Sequence, residues 1–70
     1  MTISVGYDLG GGPVRPSVVV VETLSGGYIV RGSFVGDEAI AWLEQHLPDA
    51  LTDGAPHAGH ASFKSLEDIP

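Results

Sequence analysis

Alternation of apolar and polar residues predicts three strands in the first half of the chain. Residues 2–8 place apolar side chains at every second position, which is typical of a half-buried strand. Residues 17–23 include four consecutive valines, and β-branched side chains in a run disfavour helix and favour sheet. Gly26 and Gly27 then predict a tight turn, so a third strand over 28–35 is expected to form an antiparallel hairpin with the second.

A single amphipathic helix is predicted over 37–47. Ile40, Leu43 and Leu47 recur at the i, i+3, i+7 spacing of a buried stripe. The acidic residues that open this segment suit the positive end of the helix dipole. Pro48 ends the helix, because proline lacks the amide donor and its ring clashes with the preceding turn.

The remainder of the chain has a different composition. Residues 49–70 are rich in Gly, Ala, Asp, Ser and Pro and hold few large apolar side chains, so we expect an irregular or partly disordered tail. The predicted fold class is therefore α+β: a three-stranded antiparallel sheet in the order β-β-β-α, with one packed helix. This core occupies residues 1–48, and the irregular tail follows it.

The valine run predicts a homodimer. One helix covers one face of a sheet, whereas alternation makes both faces of the second strand apolar, and a large exposed apolar patch is unusual on a monomer. A 70-residue chain without cysteine, and so without disulfides, commonly needs a partner subunit for stability. The copies would pack sheet on sheet or join edge strands. Alternatively, the tail over 50–69 folds back over that face. The predicted self-association residues are Val18, Val19, Val20 and Val21.

The aromatic residues divide into core and contact candidates. Strict alternation places Tyr28, Val30 and Phe34 on one face of the third strand, and the two aromatic residues Tyr28 and Phe34 are expected to pack in the core. Trp42 falls at the edge of the helix stripe, among acidic residues, and Trp is enriched at binding hot spots. The predicted partner-binding residues are Glu38, Trp42 and Glu44.

The charge is concentrated in the second half of the chain. The formal net charge is −6, from three Lys and Arg against nine Asp and Glu. Residues 1–36 hold two acids and two arginines, so residues 37–70 carry the whole of it. Nucleic acid would be repelled, because its binding requires Lys and Arg to neutralise phosphates. A protein partner with a basic or apolar patch suits this surface better, although the charge also serves solubility.

Neither a signal peptide nor a membrane helix is predicted. The first residues lack a basic segment, and the longest apolar run is four valines, far short of the roughly 20 residues that a membrane helix needs. We therefore expect a cytoplasmic protein without membrane contact. The chain has no Asn and one Lys, as in GC-rich coding sequences, which makes an actinobacterium or one of its phages a reasonable source hypothesis.

Two loops contain residues that could bind phosphate or a metal ion. Asp8-Leu9-Gly10-Gly11-Gly12 resembles the first phosphate loop of the sugar-kinase and actin-like ATPase superfamily, and its Asp8 resembles the metal-binding aspartate on the first strand of RNase H-like nucleases. The alternative is a flexible loop. His57 and His60, helped by Asp53, have a spacing that can bind one metal ion. No third strong ligand is evident, so we expect solvated histidines, no metal and no cofactor. Because no nucleophile–base pair stands out, an enzyme is not expected.

A broader resemblance covers Val18 to Leu47. A strand, the turn Ser25-Gly26-Gly27-Tyr28, a second strand and the helix start Gly36-Asp37-Glu38-Ala39 resemble HicB-type antitoxins. Those proteins bind a toxin through a partial RNase H-like β-β-β-α core. This chain lacks the Pro-rich stretch usual before their helix, and it shows no DNA-binding segment after Pro48.

The predicted function is that of a small acidic, non-enzymatic protein-interaction or regulatory module. One form of this hypothesis is a phage-encoded protein that binds a host protein. The alternatives are a HicB-like antitoxin module and a remnant RNase H-like or phosphate-binding domain that uses Asp8.

Overall fold

The chain forms a four-stranded antiparallel sheet with one α-helix packed against one face. A computed structural model describes all residues from Met1 to Pro70. The strand order is β3-β2-β1-β4, and every neighbouring pair is antiparallel. The predicted α+β class, with an antiparallel sheet and one helix, is confirmed. The elements are β1 (Thr2–Asp8), β2 (Ser17–Leu24), β3 (Gly27–Val35), α1 (Asp37–His46), a 3₁₀ helix (Pro48–Leu51), β4 (Ala58–Phe63) and a second 3₁₀ helix (Leu66–Asp68).

The expected three-stranded sheet is wrong by one strand, since β4 comes from the region predicted to be irregular. It pairs with β1 along its length, from Ile3 opposite Phe63 to Asp8 opposite Ala58. Its sequence is poor in strand-favouring residues, but the free edge of β1 offers it a ladder of backbone hydrogen bonds. Gly59 also makes room for an aromatic ring, because a Cβ there would lie 3.0 Å from the Tyr7 hydroxyl oxygen.

A β-bulge divides β3. Residues 20 and 21 of β2 are consecutive, yet their partners Gly32 and Val30 are two positions apart. Arg31 is therefore an extra residue on β3 that has no pairing partner on β2. Such a bulge breaks the period-two alternation of side chains at that point.

The bulge separates side chains that strict alternation had grouped together. Phe34 pairs with the buried Val18 and so lies on the helix side of the sheet. Tyr28 and Val30, before the bulge, lie on the opposite side. The prediction that Tyr28, Val30 and Phe34 share one face is therefore wrong, because each residue keeps its side only while strands pair one to one.

The core lies between α1 and the helix side of the sheet. Leu43 from the predicted stripe is completely buried, whereas Ile40 and Leu47 are partly exposed at its margins. Partly buried aromatic side chains, including Phe34 and Trp42, pack around this centre. The buried apolar residues are Ile3, Val5, Val18, Val20, Ala39, Leu43 and Ala50.

Replacement of Leu43 by alanine is expected to lower the free energy of unfolding by about 2–5 kcal/mol, because it leaves a cavity that the surrounding strands fill only in part. Chemical denaturation followed by Trp42 fluorescence measures this loss. Gln45→Ala is the matched control: Gln45 is exposed on the same helix, so its effect should stay within about 0.5 kcal/mol. Equal losses in the two variants would contradict this orientation of α1.

Candidate functional site

The side of the sheet that faces away from α1 carries an uncovered apolar surface. Val19 pairs with Ser33 and Val21 pairs with Val30, which places all four side chains on this open face. Tyr28 is 70% exposed, Val30 53% and Val35 48%, while Val19 is 37% exposed and Val21 is half-buried. We call these five residues of β2 and β3 the open-face patch: Val19, Val21, Tyr28, Val30 and Val35.

The end of the chain does not cover the open-face patch. β4 extends the sheet beside β1. Ile69, farther along, lines a groove of about 410 Å³ together with Phe34 and Trp42, on the helix side. The alternative in which residues 50–69 fold back over the uncovered face is therefore wrong. Instead, β4 pairs with the free edge of β1, and Ile69 packs beside the helix.

The structure divides the predicted self-association residues between two environments. Val18 and Val20 are 0% and 4% exposed and belong to the core under α1. Alternation along β2 sends Val19 and Val21 to the other face. Only Val19 and Val21 are thus accessible to a second copy, and they meet it together with side chains from β3.

The open face holds almost no charge. Among its strand positions the only carboxylate is that of Asp8, at the end of β1. Glu22 and Arg31 lie on the helix side, where Arg31 Nε donates a 2.8 Å hydrogen bond to Glu22 Oε1 and Nη2 contacts the same oxygen. Away from the open-face patch, on β1 and β4, this face is small and polar. It presents Ser4, Gly6, His60 and Ser62.

A row of stacked rings lies along one flank of α1. The Phe34 and Trp42 centroids are 6.2 Å apart, and those of Trp42 and His46 are 4.5 Å apart. His46 Nδ1 lies 2.7 Å from the carbonyl oxygen of Pro70, which holds the C-terminal residues near this flank. Phe34 and His46 were not predicted as neighbours of Trp42, although the i, i+4 spacing of Trp42 and His46 predicts contact on a helix.

The predicted partner-binding residues are only partly brought together. Glu38 and Trp42 line one groove of about 400 Å³ with Phe34. Glu44 is exposed but is two positions beyond Trp42, which is about 200° around the helix axis. Glu44 therefore lies on another side of α1, away from that groove.

The glycine loop after β1 is closed by its own hydrogen bonds. The Gly10 amide donates to Asp8 Oδ1 at 2.7 Å, and Gly11 and Val14 exchange backbone bonds of 2.8 and 2.9 Å. A phosphate-binding loop needs free amides and little negative charge, whereas here the Asp8 carboxylate occupies one amide and adds charge. The geometry therefore suits a structural turn between β1 and β2.

The candidate metal ligands do not converge. His57 Nε2 lies 3.7 Å from Asp8 Oδ1, while His60 is within β4 and pairs with Gly6. No group of three or more His, Cys, Asp or Glu side chains is arranged to hold a metal ion. No helix of the structure has the length and apolar character needed to cross a membrane.

Gly10→Ala is expected to lower the free energy of unfolding by about 3 kcal/mol, because the φ of Gly10 is +72° and a Cβ there would overlap the Val14 carbonyl oxygen. Gly12→Ala is the matched control. Gly12 also has a positive φ, +55°, but a Cβ there meets nothing within 4 Å, so about 1 kcal/mol is expected. Thermal unfolding measures both. Equal losses would contradict the close packing at Gly10.

Comparison with models of known protein families, with curated proteins and with solved structures found no match to this chain. The resemblance to HicB-type antitoxins therefore stays a prediction.

Proposed function

We propose that this chain is a small non-enzymatic protein-interaction module that binds through the open-face patch. The observation that carries the proposal is the set of apolar side chains on β2 and β3 that the folded chain leaves uncovered. Patches of several hundred Å² on small folded proteins commonly mark contact surfaces. Removing such a surface from water stabilises a complex by roughly 25 cal/mol per Å² of apolar area.

The open-face patch is also suited to binding because it is rigid. Its side chains stand on two strands paired from Ser17–Val35 to Leu24–Gly27, and most of them are valines with few rotamers. Little conformational entropy is lost when such a surface is covered. Ser17, Thr23 and Ser33 lie on the same face and supply a polar rim, as in ordinary protein interfaces.

The non-enzymatic part of the proposal rests on the placement of the titratable groups. Apart from the Arg31–Glu22 ion pair, the one close pair of an acidic and a basic side chain is Asp8 with His57, whose Oδ1 and Nε2 atoms are 3.7 Å apart. Their side chains are 49% and 66% exposed. Catalytic acids and bases work best in water-excluded sites with hydrogen-bond geometry, which this pair lacks.

The flank of α1 offers a second, chemically different contact. Glu38 stands beside the half-buried Trp42 at the rim of their groove, and α1 carries no Lys or Arg. A glutamate beside an aromatic side chain favours a basic segment of a partner. We therefore propose Glu38 and Trp42, without Glu44, as the residues that meet a basic partner.

When Val30 is replaced by the photoreactive residue benzoylphenylalanine, irradiation of cells of the source organism is expected to link the chain covalently to its binding partner. The same residue at position 62 is the matched control, because Ser62 is exposed on the same face but outside the open-face patch. Adducts from position 30 should exceed those from position 62 at least fivefold by quantitative blotting. Equal yields, or none from position 30 in a folded variant, would contradict the proposed binding surface.

A further inference from the structure

We infer that the open-face patch binds a second copy of the chain, so that two sheets stack face to face through β2 and β3. This inference rests on the proposed interaction function and names its partner. Three features of the structure carry it: the distribution of charge, the form of the β3 edge, and the area of the face.

The charge distribution decides which side of one copy can approach another. Each copy has a formal net charge of −6, and residues 37–70 carry it. These acids lie on α1 and in the segments after it, and among the strand positions of the open face only Asp8 is acidic. Two like-charged copies can therefore meet through the open face without bringing their acids into contact.

A basic partner would gain nothing at this face. Charge complementarity needs an acidic surface opposite the partner's Lys and Arg, and the open-face patch holds only Val and Tyr. The acidic residues on the helix side attract a basic partner at the open face only weakly, because dissolved salt screens charges over a Debye length of about 8 Å at physiological ionic strength. A neutral apolar surface is the complementary partner, and a second copy supplies one.

The bulge in β3 disfavours the other mode of self-association, which is pairing of edge strands. β3 is an edge strand of nine residues, long enough to extend the sheet into a neighbour. However, the bulge at Arg31 interrupts its regular register in the middle. Bulges twist and blunt strand edges, and natural sheets use them against edge-to-edge pairing. Contact through the face is therefore favoured over contact through the β3 edge.

The available area predicts a weak, reversible dimer. Strand spacing and rise give the patch and its margins on the order of 400 Å² per copy, so a pair buries on the order of 800 Å². Stable interfaces bury about 1,200–2,000 Å². Two aligned sheets with the same twist pack about 10 Å apart, which lets valine side chains interdigitate. We expect a dissociation constant in the micromolar range.

Sedimentation velocity of the whole chain from about 1 to 500 µM tests the inference. The 7.3 kDa chain should shift towards twice that mass as its concentration rises. Val30→Asp should weaken the dimer at least 30-fold, because an unpaired carboxylate would be buried between the sheets. Ser62→Asp makes the same change in charge on the same face, two strands away from β2, and should weaken it threefold at most.

Circular dichroism and thermal unfolding check that both variants fold, which is expected because both positions are exposed in the single chain. A wild-type chain that stays at 7.3 kDa up to 500 µM would overturn the inference. So would Ser62→Asp if it disrupted the dimer as strongly as Val30→Asp.

The adduct masses separate the inference from the function on which it rests. Adducts at position 30 of twice the chain mass support both. Adducts of another mass, with a monomeric wild type, leave the interaction function standing and remove the second copy as its partner. Absence of both adducts and dimer removes both.

Discussion

The structure depends on one constraint: a single ten-residue helix covers only one face of a four-stranded sheet. The pleat of β2 sends Val18 and Val20 under α1 and leaves Val19 and Val21 on the other side. Because β4 and the C-terminal residues pack at the β1 edge and beside the helix, no other segment covers the second face. The same strand thus supplies both the core and the proposed contact surface.

The bulge at Arg31 lets β3 follow the same division, with Phe34 on the core side and Val30 on the open face. If every residue of β3, Arg31 included, paired one to one with β2, Phe34 and Val30 would share a face, and either the core would lose an aromatic side chain or the open face would lose a valine. The bulge also leaves the Arg31 side chain on the helix side, where it pairs with Glu22. The charged pair of this hairpin is thereby kept away from the open-face patch.

The two sides of the molecule consequently differ in chemistry. The open face is nearly uncharged and is apolar over β2 and β3, while the helix side and the segments after it carry the net negative charge. A neutral apolar face suits contact with an identical face, and the flank with Glu38 and Trp42 suits a basic partner. Self-association through the first surface would leave the second exposed on both copies.

The sequence by itself determined the elements whose signals are local. Alternation over 2–8, the valine run and the glycine turn predict the first three strands. The helix ends before Pro48, as the effect of proline on helices predicts. Only the tertiary structure decided β4, because residues 58–63 have weak strand preference and gain it from the open edge of β1. It alone decided which side Val30 faces, since a bulge arises from pairing between strands and leaves no signal in one strand's pattern. The valine run predicted two apolar faces, but which one stays uncovered depended on where the helix and the last residues pack.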